Sequence, residues 1–216
     1  MNPNGACLAM WWTMEPAMRA EFEHWHSHEH FPERLRIPGF QRASRWREEG
    51  GDGFFVLYEL ESYEVLSSPG YLERLNAPTP WSTKLMPHHK NMVRAQCRVL
   101  ETRGGTVARH AVTLRLSPAS DGLRAALLAI ADRLAVTAGC VGGHLVQHQS
   151  PAIAMTTEQK IRGGDAAADW VFIATGYDRD ALWELGDAVM RAEGVAAGAV
   201  RNLYSLSHSA IRADVP

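Results

Sequence analysis

FFVLYEL, residues Phe54–Leu60, is the stretch on which the fold turns. Its residues favour β structure, and it is apolar on both faces rather than on alternate positions only. A strand of that kind must be covered twice. Just before it, Glu49-Gly50-Gly51-Asp52-Gly53 is a turn cluster, and before that Phe40–Glu48 (FQRASRWRE) alternates loosely as a partner strand. Ala6–Met14 (ACLAMWWTM) is a second two-sided apolar run, and Met92–Thr102 (MVRAQCRVLET) closes the group. Far along the chain, Trp170–Gly176 (WVFIATG) echoes FFVLYEL.

That echo is one of element order. Between the first strands, Glu15-Pro16 opens a helix, proline being tolerated where its missing N–H is not needed. The residue before a proline avoids helical backbone, so a break is expected at Phe31-Pro32, with a short turn around Glu33–Arg36. Tyr63–Leu75 is helical but broken at Pro69-Gly70, and a polar connection carrying Trp81 and His88-His89 follows. The order is β-α-β-β-α-β. After Arg103-Gly104-Gly105 it begins again, with a strand Ala111–Leu116 and a helix Asp121–Ala135 opened by Ser117-Pro118. Leu123, Leu127, Ile130 and Leu134 of that helix repeat at helical spacing. Then come a strand at Gly139–Gln149, WVFIATG, a helix Arg179–Glu193 capped by Asp178, and a strand Val200–Ser207. Ser150–Ala168 is longer than an ordinary connection and is expected to be a lid or a hidden strand pair.

The fold expected is therefore α+β. Residues 1–105 and 106–216 form two tandem ferredoxin-like units whose antiparallel sheets face each other in one intrachain α/β barrel. A pocket lined by Trp, Tyr, Phe and Met is expected between the sheets.

Composition excludes several classes. The 216 residues are 46% hydrophobic and 21% charged, with a net charge of −2, so nothing pulls the chain toward nucleic acid or an acidic membrane. No apolar run reaches the ~18 residues a membrane span needs. Cys7, Cys97 and Cys140 lack metal or disulfide spacing and are expected as free thiols in a cytoplasmic protein.

Function points to HWHSHEHFPERLRIPGF, His24–Phe40. At 100° per residue Met18, Phe22, Trp25 and Glu29 share one helix face, with His26, His30 and Glu33 at its edge; His24 and His28 point away. Ionisable groups on a core-facing edge are more than packing needs. Trp25…His30-Phe31-Pro32-Glu33, then Ile37-Pro38-Gly39-Phe40 and Arg45-Trp46, resembles the dimeric α/β-barrel superfamily, and in particular its EthD-like and stress-responsive barrel members. The second half has no H-x-P-E counterpart, which places the site in the first half. The resemblance implies no single activity, since the superfamily spans cofactor-free monooxygenases, isomerases, cyclases, haem enzymes and members without known reaction.

His30 is the candidate acid/base, with Glu29 or Glu33 tuning it. A place in the last helical turn would let the helix dipole favour its charged form and raise its pKa. Arg45 or Tyr58 is the candidate stabiliser of an oxyanion, and Trp25, His26, Trp46, Tyr58 and Trp81 are candidates to hold the substrate. His26 and His30 are spaced as an HxxxH pair, but the third ligand a metal needs would have to come from Glu29, Glu33, His88 or His89. Phosphate-loop and nucleophile-elbow motifs are missing. The leading expectation is an acid/base enzyme without nucleotide cofactor, acting on a small apolar or aromatic ligand. A non-catalytic binding or scaffold protein is the alternative, and a haem or divalent-metal barrel the third. Neither nucleic acid nor a membrane is expected as partner, and a homodimer is left open.

Overall fold

In a computed structural model, which describes residues 1–117 and 122–215, eight strands close into one antiparallel barrel. They are β1 (Ala6–Met14), β2 (Phe40–Glu48), β3 (Gly53–Leu60), β4 (His89–Gly104), β5 (His110–Leu116), β6 (Cys140–His148), β7 (Trp170–Gly176) and β8 (Val200–Ile211). Around the barrel the order is β1-β3-β2-β8-β5-β7-β6-β4. The first four strands run β4-β1-β3-β2 and the last four repeat that permutation as β8-β5-β7-β6. Each set leaves two edges. β2 pairs with β8 and β4 with β6, so both edges of each set are sealed.

Alternation along each strand then assigns two faces. Cys7, Ala9 and Trp11 of β1 turn into the barrel, whereas Leu8 and Trp12 turn outward against helices. Side chains from all eight strands fill the interior. Trp11 stacks on Phe55 and Phe55 on Trp46, both at 5.2 Å between centroids, and Tyr204 closes against Phe55. Ala9, Ala95 and Ala111 leave room for these rings. Among the described residues the middle of the barrel, where a pocket was expected between the sheets, is filled: an eight-stranded barrel is only just wide enough for its own side chains, and here aromatic rings occupy it. Trp46 belongs to this packing. It is fully buried, and its indole N–H donates to Ala108 O at 3.3 Å. Cys7 and Cys97 are buried free thiols facing one another across β1 and β4; Cys140 is free and half-buried.

Helices cover the outer faces. Over the second half lie α5 (Gly122–Leu134) and α7 (Arg179–Met190); Leu123, Leu127, Ile130 and Leu134 pack on Val112, Leu114 and Phe172. Asp178 caps α7 by accepting from Asp180 N and Ala181 N. The opening of α5 at Pro118 and Asp121 lies outside the described residues.

Over the first half the helix departs from expectation. A single 3-10 turn (Pro16–Met18) leads into α1 (Arg19–Trp25), a π-turn spans His26–His30, and α2 (Phe31–Leu35) follows without a break. Phe31 keeps helical angles, φ −61° and ψ −50°, although it precedes Pro32. The wide turn supplies the reason. Phe31 N–H reaches back five residues to His26 O, and such a bulge shifts the carbonyls a proline ring would otherwise strike. His30 is thus mid-helix, and the helix-end argument for a raised pKa lapses.

The polar connection after α3 (Pro69–Asn76) holds a short helix that was not expected, α4 (Pro80–Leu85), capped by Thr79. The long segment between β6 and β7 holds α6 (Thr157–Arg162), with a capping box at Thr156 and left-handed Gly163 at its end. It crosses onto the first half. Thr157 N donates to Asn76 Oδ1, and Ala166 bridges to β4, bonding Met92 O and Arg94 N. No helix among the described residues is long and apolar enough to span a membrane.

Candidate functional site

Between the outer face of the first-half sheet and its helices lies a cavity of about 30 Å3, with room for about two water molecules. β1 provides Leu8, Met10 and Trp12, β3 provides Tyr58, and β4 provides Met92 and Arg94. The π-turn presents Trp25, His26 and His30, and Arg34 follows one turn later. α3 adds Tyr71, and His89 stands at the start of β4. Glu158 and Arg162 of α6 complete the wall. The expectation that the second half supplies only scaffold is corrected here, because α6 folds back across the first half.

The polar atoms are unevenly satisfied. Arg34 Nη2 donates to Glu158 Oε1, and Arg162 pairs with Asp165 at 2.9 Å and Glu158 at 3.5 Å. Among the described residues, Arg34 Nη1, the Tyr58 hydroxyl, the Trp12 indole N–H and Nδ1 of both His26 and His30 are buried without a hydrogen-bond partner. Glu33 Oε2 lies 3.7 Å from His30 Nδ1 and 3.8 Å from Arg34 Nη1, within ionic reach but beyond a hydrogen bond. Glu33 also faces outward, lining a groove of about 330 Å3 with Arg36, Pro38, Glu73 and Arg74.

Burial holds His26 and His30 well below the ordinary histidine range, reinforced at His30 by Arg34 and at His26 by Arg45. This reverses the expected rise at His30: the ring is neutral at physiological pH. His89 is brought down to about 3 by burial, against the opposing effect of its bond to Leu85 O. Burial pushes the Glu33 carboxyl up, with Arg34 opposing. Burial opposes the charge on Arg34 as well, but Glu158 and Glu33 outweigh it and keep the guanidinium protonated. Burial also raises the Tyr58 hydroxyl far above the usual range, so it stays a donor.

Of the sequence-predicted residues, Trp25, His26, His30 and Tyr58 meet at this cavity, and Glu33 stands behind His30. The others do not line it. Glu29 accepts from the Trp25 indole at 3.0 Å and from Thr79, on the side facing α4. Arg45 donates to Ser207, Ser27 and Glu23 O, and its guanidinium lies over the Phe22 ring. Trp46 fills the barrel. Trp81 covers the outside of α1, donating to Glu21 at 3.0 Å. His24 and His28 are exposed. Arg34, Tyr71, Arg94, Glu158 and Arg162 were missed. Arg34 lies one turn beyond His30, and Arg94 interrupts the apolar face begun by Met92. These were legible signals, whereas nothing local marks Glu158. Among the described residues no three His, Cys, Asp or Glu side chains group as a metal site.

In fold the chain is similar to ferredoxin-fold barrel proteins of known structure. An anthrone oxidase-like protein superposes with TM-score 0.65 at 12% identity, over 97% of this chain and 94% of the other. A candidate monooxygenase from Fusobacterium nucleatum gives 0.64 at 9% identity, covering 98% and 96%. Another from Lactobacillus acidophilus gives 0.58 at 9%, covering 97% of each. At identities this low the superpositions establish a shared fold and nothing further. No protein-family model matches the sequence, and no curated protein matches it.

Proposed function

We propose that this chain is a small-molecule enzyme that works by proton transfer on an apolar or aromatic metabolite, without a nucleotide cofactor. One observation carries the reading: His30, Arg34 and Tyr58 line one small cavity, and each carries a buried polar atom without a hydrogen-bond partner among the described residues. In this reading His30 accepts a proton from an acidic C–H or O–H of the substrate. The negative charge left on the substrate oxygen is stabilised by donation from Arg34 and Tyr58. A ring of low basicity suits that role where the imidazolium and the substrate anion form together, each offsetting the other in a poorly screened site. Glu33, close to His30 and open to the outer groove, takes the proton to solvent.

The likeness in fold to anthrone oxidase-like and candidate monooxygenase proteins supports an oxygenase over an isomerase, cyclase or lyase. The Trp25…His30-Phe31-Pro32-Glu33 motif supports kinship with EthD-like and stress-responsive barrels. A substrate of aromatic size exceeds the cavity as it stands, so α6 moves aside during access.

The test is deuterium exchange from solvent into enolisable positions of hydroxy-aromatic compounds, followed by NMR with and without oxygen. Exchange that depends on His30 supports the reading. Absence of exchange across the panel, or exchange undiminished in His30→Gln, overturns it. A Soret band in the purified protein would favour the haem alternative instead.

A further inference from the structure

We infer that the substrate is an organic anion whose carboxylate is anchored by Arg94; the inference rests on the same cavity being a substrate site. Three guanidinium groups line the cavity, and they are not equivalent. Arg34 is paired with Glu158, and Arg162 with Asp165 and Glu158. Arg94 is 6% exposed, and among the described residues no carboxylate lies within ion-pair distance of it. Among the described residues its one side-chain hydrogen bond, from Nη2 to the Tyr71 hydroxyl at 2.8 Å, is to a neutral group.

A buried cation without a counter-charge is costly, and Tyr71 supplies only a dipole. Tyr71 is in fact shared by two cations: the Arg34 guanidinium lies 5.8 Å from its ring centroid while Arg94 holds its hydroxyl. Glu33, Glu158 and Asp165 pair with Arg34 and Arg162, and among the described residues none of these carboxylates lies within ion-pair distance of Arg94.

Placement agrees with an anchoring role. Arg94 sits opposite Met10 in the β1–β4 ladder, on the sheet wall across from the helix that carries His30. Two residues further along the same face of β4, Gln96 Nε2 is also buried without an acceptor among the described residues. A carboxylate there would neutralise Arg94 and orient the rest of the molecule toward His30, Arg34 and Tyr58. A planar guanidinium suits that recognition, because its N–H fork matches two carboxylate oxygens.

The experiment titrates the whole chain with benzoate and with its neutral isostere benzamide, read by the fluorescence of Trp12 and Trp25 in the cavity wall and by calorimetry. Acetate and 1-naphthoate bracket the size range. Benzoate binding at least about tenfold tighter than benzamide is expected, as is loss of that preference in Arg94→Gln. Arg94→Lys keeps the charge and should restore part of the preference, which separates charge from folding if the glutamine variant is unstable. His30→Gln should lose proton exchange yet keep the preference for benzoate. That outcome tells failure of the anion inference apart from failure of the catalytic reading. Equal affinity for benzoate and benzamide, or no binding of any carboxylate in the series, overturns the inference.

Discussion

The Arg34 guanidinium donates to Glu158 across 124 positions of chain, and the pair is almost wholly shielded from solvent. It ties a helix of the first half to α6, which belongs to the connection between β6 and β7. The cavity therefore exists only when both halves are folded around it.

Breaking that pair from one side should be expensive. Arg34→Met leaves Glu158 buried with only the more distant Arg162, and a loss of about 3–5 kcal/mol is expected from chemical denaturation. Glu158→Gln should cost less, because Arg34 retains Glu33 at 3.8 Å. In that variant amide exchange in α6 should accelerate before exchange in the barrel strands does. Uniform acceleration would show that α6 is not a separately opening unit.

Replacement of His30 separates chemistry from stability. Among the described residues its ring makes no hydrogen bond through Nδ1, and it packs 4.5 Å from Trp25, so His30→Gln should cost about 1 kcal/mol or less. Proton exchange into substrate should fall by about 100-fold or more. A variant that unfolds while the residual folded protein exchanges normally would make His30 structural.

Stability should decline below pH 6.5. His26, His30 and His89 have folded pKa values lowered by burial, whereas the unfolded chain titrates near 6.5. Above that pH neither state binds the proton and these groups contribute nothing. As pH falls through and below it, the unfolded state binds protons that the folded state refuses, and stability drops by about 1.4 kcal/mol per pH unit for each such ring. Urea midpoints measured from pH 7.5 to 5 should show this slope. His26→Asn should reduce it by about one proton.

Trp46 offers a control for the location of the site. Trp46→Phe should lower stability by about 1–2 kcal/mol through the lost bond to Ala108 O and the void beside Phe55, and leave ligand affinity unchanged. A matching loss of affinity would mean that ligand reaches the barrel interior.

Gly39→Ala tests the turn that ends the motif. Gly39 has φ +91°, and a Cβ there would come within 2.4 Å of Val65 Cγ2. The expected loss, about 1–3 kcal/mol, follows from a left-handed conformation combined with a clash. Thermal melting would check it, and a neutral substitution would mean that β2 can shift at Phe40.

By itself the sequence determined the strands, their doubled order and the helix that carries His30. FFVLYEL and WVFIATG are apolar on both faces, and the need to cover both faces of a strand is a local demand that leaves few architectures. The same patterning marked Trp25, His26, His30 and Tyr58. What it could not decide was which face looks into the barrel, since Trp11 and Trp12 are equally apolar and only closure of the sheet sends one to the interior and the other to the helices. Local rules also failed at Pro32, because they presume α-helical spacing and the π-turn changes it. Arg45 and Arg34 look alike in sequence; packing gave one to Ser27 and Ser207 and turned the other into the cavity. Glu158 and Arg162 became part of the cavity wall only because a long connection in the second half folds across the first, and contacts over such separations are set by the assembled structure.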